Sequence, residues 1–190
     1  MDGIGHSPDV RLTPSCQAEA MTHPTEAWEQ RLTALWDAFG DLEEGAFLAR
    51  MSQLADELPA DSAVAAFEQA GAFDSTGHPD RAIKLYRRAL TLGLPEERRR
   101  QAVIQLASSL RNVGEAGESM ALLKAELSAG RTAGSDSLDD AVAAFLALAL
   151  VDSGREREAV SVALLALSSH LTRYQRSLRN YAQDLAPSPT

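Results

Sequence analysis

A glycine recurs at Gly77, Gly114 and Gly154, each time between two apolar helical stretches, and this spacing constrains the fold more than any other feature of the chain. The intervals are 37 and 40 residues. A unit of that length, built of a helix, a glycine turn and a second helix, has too little apolar surface to form a core alone. Successive units must therefore stack. The spacing predicts an all-α solenoid of helical hairpins, with repeats at 63–95, 100–130 and 140–169.

The flanks carry helical patterns of their own. Trp28, Leu32, Leu35, Trp36 and Phe39 share one face over 26–39, and Phe47, Leu48, Met51, Leu54 and Ala55 do so over 41–58, where the Leu58-Pro59 step ends the helix. Together they predict an N-terminal helical hairpin over 24–60. Asp61 is the expected N-cap of the next helix. At the other end, Leu171, Tyr174, Leu178, Tyr181 and Leu185 fall at alternating steps of three and four. They predict a capping helix over 170–185 that covers the last repeat, with Arg173, Arg176 and Arg179 facing water; the alternative use of this seam is dimerisation. Residues 1–23 lack the basic start and apolar stretch of a signal peptide and read as a disordered tail, with Met21 as an alternative start. Residues 128–137, rich in Gly and Ser, are the expected flexible point between helices.

Composition narrows the function. The 190 residues are 45% hydrophobic and carry a net charge of −9, which opposes binding to phosphate backbones and anionic lipid, so neither nucleic acid nor membrane is an expected partner. Sixteen arginines against Lys84 and Lys124 fit a GC-rich bacterial genome. With Cys16 alone no internal disulfide can form, and a cytoplasmic location is expected. The longest apolar run, 141–151, falls short of the roughly 20 residues a membrane span needs and predicts a buried helix. Chemistry finds no constellation: His6, His23, His78 and His170 are scattered, and there is no HExxH, no cysteine cluster, no GxxxxGK and no strand-borne GxGxxG. No catalytic residue, cofactor or metal is expected. Arg87, Arg88 and residues 98–100 form the one basic concentration, expected to be a solvated face in which Glu96 and Glu97 pair with the following arginines.

These units resemble the tetratricopeptide repeat, a helical hairpin with small residues where its helices touch. In the first unit Ala70, Phe73, Ala82, Tyr86 and Ala89 stand at the family's characteristic positions. Leu146, Ala147, Leu150, Ala159 and Ala166 match in the third, and Leu106, Ala107 and Leu110 in the second, where Ser119 and Glu126 replace two alanines. The layout looks like the bacterial "group 5" tetratricopeptide family. The resemblance implies a non-catalytic module, monomer or homodimer, that binds a protein or peptide partner in a concave groove lined by the first helix of each repeat. On that mapping, with Gln105 added from the polar face of the middle helix, the candidate groove residues are Phe67, Asp74, Ile104, Gln105, Ser108, Arg111, Asn112 and Leu148. Gln105, Ser108, Ser109 and Asn112 share one helical face of amides and hydroxyls suited to an extended backbone, and Arg111 can fork onto a carboxylate. Phe67, Ile104 and Leu148 are the expected apolar anchors. The family's clamp for acidic chain ends needs Lys and Asn where this chain has Phe67, Ile104, Ala144 and Gly71, Ser108, Leu148, so that activity does not carry over.

Overall fold

In a computed structural model that describes residues 24–129 and 138–186, Gly77, Gly114 and Gly154 take φ values of 81°, 90° and 69°. This is the left-handed region, which a side chain would strain. One residue past each glycine the backbone N–H reaches back to close the helix end: His78 to the Phe73 carbonyl at 2.8 Å, Glu115 to Leu110 at 2.9 Å and Arg155 to Leu150 at 2.9 Å. The three turns are copies of one device, the glycine-terminated closure that satisfies the last helical carbonyls. The expectations for residues 1–23 and for most of 128–137 lie outside the described residues.

Among the described residues the helices run, in chain order, α1 (Glu26–Asp37), α2 (Glu44–Ala55), α3 (Ala63–Ser75), α4 (Pro79–Leu92), α5 (Glu96–Asn112), α6 (Ala116–Ser128), α7 (Asp139–Asp152), α8 (Glu156–Ser168) and α9 (Gln175–Leu185), with a 3-10 turn at Phe39–Asp41 and no strand. Each helix packs on the one before it, and α3, α5 and α7 also touch in succession. The result is the expected all-α solenoid, with α3, α5 and α7 as an inner row and α4, α6 and α8 outside. Small residues bring the two rows together: Ala82, Ser119 and Ala159, at equivalent places in the three repeats, are all buried. Tyr86 and Leu123 fill the space behind the first two. The N-terminal hairpin closes on its own core, where Phe47 meets Trp36 and Phe39 edge-on with centroids at 5.2 and 4.8 Å and the Trp28 indole donates to the Leu54 carbonyl at 2.8 Å.

Four local expectations are corrected. Ser62 rather than Asp61 caps α3, its hydroxyl accepting from the Ala65 amide at 3.2 Å, because Ser62 stands one residue before the first helical position and Asp61 points to solvent. The last helix begins at Gln175, not near 170, because Tyr174 holds a φ of 66° and breaks the helical path. Its inward stripe is Leu178, Ala182 and Leu185, while Tyr174 and Tyr181 are 78% and 68% exposed. The close approach of α9 to α8 needs a small residue, and Ala182 supplies it. Helix α7 is not buried all round either: Ala144, Leu148 and Val151 leave one apolar stripe open.

The largest correction concerns residues 98–100. Arg98 makes a two-pronged pair with Glu29 of α1 at 2.9 and 2.6 Å and approaches Glu68 of α3 at 3.4 Å. Arg99 bonds Glu126 of α6 as well as its helical neighbour Glu96, the one pairing the sequence anticipates. Arg100, only 6% exposed, joins Glu126 at 2.9 Å and Asp139 of α7 at 2.5 Å. Glu126, which stands where the repeat pattern has alanine, is thus one pole of a buried ion cluster tying α5, α6 and α7. A single surface pair is worth little, whereas removing one partner of a buried pair leaves a charge stranded.

Glu126→Gln should therefore cost about 3 kcal/mol in urea unfolding at pH 7, against less than about 1 kcal/mol for Glu96→Gln. Burial alone would raise the Glu126 carboxyl, but hydrogen bonds from Arg99 and Arg100 outweigh it and hold the folded value below the ordinary 4.5. The stabilisation is then complete above that value and lost as pH falls through the lower folded one, so the gap between wild type and Glu126→Gln should close on acidification.

Candidate functional site

The inner row and the N-terminal hairpin together enclose a cavity of about 660 Å³, open to solvent, with α3 as floor and α1 and α5 as walls. Its shape depends on Gly71. A Cβ there would stand 3.3 Å from the Trp36 ring, so the absence of a side chain is what lets the indole lie against α3. The Trp36 Nε1–H then donates to Glu68 at 3.1 Å. On the opposite wall Arg98 reaches across to Glu29 and pins α1 to α5.

The lining mixes apolar and polar groups, and its charges are predominantly acidic. Glu29, Asp37, Glu68, Asp74 and Glu97 face a single cation, Arg98. Glu68 is 6% exposed, and burial pushes its carboxyl above the usual range although Trp36 and Arg98 pull the other way. Asp74 is half-buried and accepts the Ser109 hydroxyl at 2.8 Å; burial raises its carboxyl too, against that hydrogen bond. Tyr86, fully buried, lines the same cavity with a hydroxyl that has no hydrogen-bond partner. Burial raises its pKa far above the phenol norm, and the nearby Asp74 and Glu68 carboxylates raise it further. A buried donor without a partner costs free energy, so its presence in a cavity wall calls for an explanation.

Of the candidates taken from the sequence, Phe67, Asp74 and Gln105 line this cavity. Ser108 and Asn112 continue along α5 beyond it, the first partly buried and the second exposed. Leu148 is 45% exposed in the open stripe of α7. Ile104 is different: it is 6% exposed and packs with Ala107, Leu123 and Leu146, because its side chain points between α5 and its neighbours rather than outward. Arg111 faces Asp152 of α7 as an ion pair whose Nε–H is not aligned as a hydrogen bond, so its charge is already engaged within the fold. Ser109 does not join an exposed polar face; it is fully buried on Asp74.

Sequence reasoning missed Glu68, Trp36, Tyr86 and Arg98 as parts of one site. A signal for Glu68 exists: Val64, Glu68 and Ala72 lie at i, i+4 and i+8, and a charge in the middle of an apolar stripe marks a buried ionisable group. Trp36 and Tyr86 fit the core pattern and so hid their polar ends. Among the described residues no group of three or more His, Cys, Asp or Glu could hold a metal ion.

Asp74→Asn should preserve the Ser109 hydrogen bond while removing a half-buried charge. A raised folded pKa means that stability is lost as pH climbs from 3.8 through the folded value. The variant should accordingly unfold at higher urea than wild type at pH 7, with the two converging near pH 3.8 or below.

A family model described as Tetratrico peptide repeat matches residues 63–185, from the start of α3 to the end of α9. No curated protein and no solved structure matches the chain. Repeats of this family generally mediate interaction between proteins. Among the described residues no helix is long and apolar enough to cross a membrane. Three glycine turns of one geometry, small residues buried at equivalent helix contacts and a family match over most of the sequence lead to one conclusion: the chain belongs to the Tetratrico peptide repeat family.

Proposed function

We propose that the protein is a non-catalytic interaction module of the bacterial cytoplasm that holds a segment of another protein along the concave face formed by α3, α5 and α7. The observation that carries this reading is the cavity between α1, α3 and α5, whose wall contains a buried hydroxyl with nothing to bond. The working unit is the N-terminal hairpin over 24–60, the three repeats and the cap, since the hairpin supplies one wall of the cavity. Gln105 and Asn112 offer amides to a bound backbone, Phe67 and Leu148 offer apolar contact, and Ser108 lies between them. Arg111 and Ile104 serve the fold in this reading, the first through Asp152 and the second through the core.

A photo-crosslinking residue placed at Gln105 should capture a discrete partner protein in the native cytosol. The same residue at Thr91, exposed on α4, should not. Capture from Thr91 alone would overturn the groove reading.

The second reading, self-association through α9, is favoured by one observation: Tyr174 and Tyr181 stay 78% and 68% exposed at the end of the solenoid. On that reading sedimentation velocity gives a dimer for wild type and a monomer for Tyr181→Glu, with helicity unchanged because Tyr181 does not pack inward. A wild-type monomer at high micromolar concentration removes it.

A further inference from the structure

We infer that the cavity between α1, α3 and α5 receives an arginine side chain of the bound protein segment, its guanidinium seated between the Asp74 carboxylate and the Tyr86 hydroxyl and stacked against the Trp36 ring. The inference deepens the groove reading and rests on it. Three independent observations point the same way.

The first is charge. Five carboxylates line the cavity against Arg98, whose two prongs are already occupied by Glu29. Asp74, by contrast, has a hydroxyl for company and makes no ion pair among the described residues. A half-buried carboxylate without a cation attracts one, and the low-dielectric wall strengthens the attraction. The second is the Tyr86 hydroxyl, fully buried and unbonded although it lies within electrostatic reach of both Asp74 and Glu68. An incoming N–H gives the phenol oxygen a donor and leaves its own hydrogen free to turn to a carboxylate; a ligand that only accepts would meet the surrounding negative charge. The third is shape. Without a side chain at Gly71 the Trp36 ring lies directly on α3, and Phe67 stands on the same floor. A flat aromatic surface beside a carboxylate suits a guanidinium, which stacks and forks at once, better than it suits an ammonium.

The test is an NMR titration of the full chain with N-acetyl-arginine amide, followed through the two tryptophan indole signals, with the neutral isostere N-acetyl-citrulline amide as comparison. The Trp36 indole borders the cavity on Glu68, whereas the Trp28 indole is bonded to Leu54 in the hairpin core and reports that the fold is intact. The expected result is a saturable shift of Trp36 alone, with arginine and not with citrulline, weakened about tenfold or more by Asp74→Asn, as loss of a charge-assisted contact implies. Tyr86→Phe, which keeps the ring volume in the core, should weaken it as well. An unmoved Trp36, an equal response to citrulline, or an unchanged affinity in Asp74→Asn would overturn the inference. So would binding that appears only in an Arg11→Ala chain, since the occupant would then be the chain's own N-terminal arginine. Because the probe needs no partner, its failure beside a successful Gln105 crosslink leaves the groove reading standing and removes only the arginine.

Discussion

Three consecutive arginines at the start of α5 hold the stack together. Successive residues on a helix point about 100° apart, so Arg98, Arg99 and Arg100 reach three directions from one turn: toward α1 and α3, toward α6, and toward α6 and α7. Their position is unfavourable for the helix itself, since cations at an N-terminus oppose the macrodipole. Tertiary pairing is what offsets that cost. The alanine-rich contacts between hairpins set a close distance but have little directional preference, as expected of apolar burial. The forked pair with Glu29 and the Arg100 pair with Asp139 add direction, tying the N-terminal hairpin and the third repeat to the middle one, while Glu126 locks the middle hairpin to itself.

The fold was readable because its rules are local and repeated. A glycine needing left-handed φ, two apolar faces of helical period and a small residue where helices cross appear three times over, and each is a property of a few neighbouring residues. Only part of the site was readable. Phe67 and Asp74 emerged from repeat position and Gln105 from the polar face of its helix, yet Arg98 and Glu29 are 69 residues apart and Trp36 and Glu68 are 32 apart, pairings that no local pattern encodes. Residues 98–100 read as a solvated face for the same reason. Apart from Glu96, their carboxylate partners lie on other helices 26 to 69 residues away, and charges along a helix look alike whether water or protein surrounds them. The last helix differed in another way, since a tyrosine with positive φ shortened it, leaving Tyr174 ahead of the helix and Tyr181 on its exposed face.

The cavity is where the structure departs from the economy of its core. Elsewhere most polar groups in the interior find partners: Ser168 bonds a carbonyl one turn back, Trp28 bonds across the hairpin, and Arg100 sits between two carboxylates, although the Ser119 hydroxyl between α5 and α6 is also unbonded. Around α3, two carboxylates are raised by burial and one hydroxyl is left alone. On the proposed groove reading such local cost is tolerated because binding uses it, and the Arg98–Glu29 pair ties α1 to α5 across the cavity.

Along the inner row the chemistry changes. At the N-terminal end the wall is acidic, from Glu68 and Asp74 with Glu29 and Glu97; the middle helix presents the amides Gln105 and Asn112; and α7 ends the row with Ala144, Leu148 and Val151 in the open. All three are α-helices ending in the same glycine turn, so this gradient is written in side chains. On the proposed groove reading its consequence is polarity in the vectorial sense: an extended chain lying along the face would meet charge, then amide, then hydrocarbon, and a segment laid in reverse would meet them in the opposite order. On that reading, a scaffold of repeated helices carries a surface with a direction.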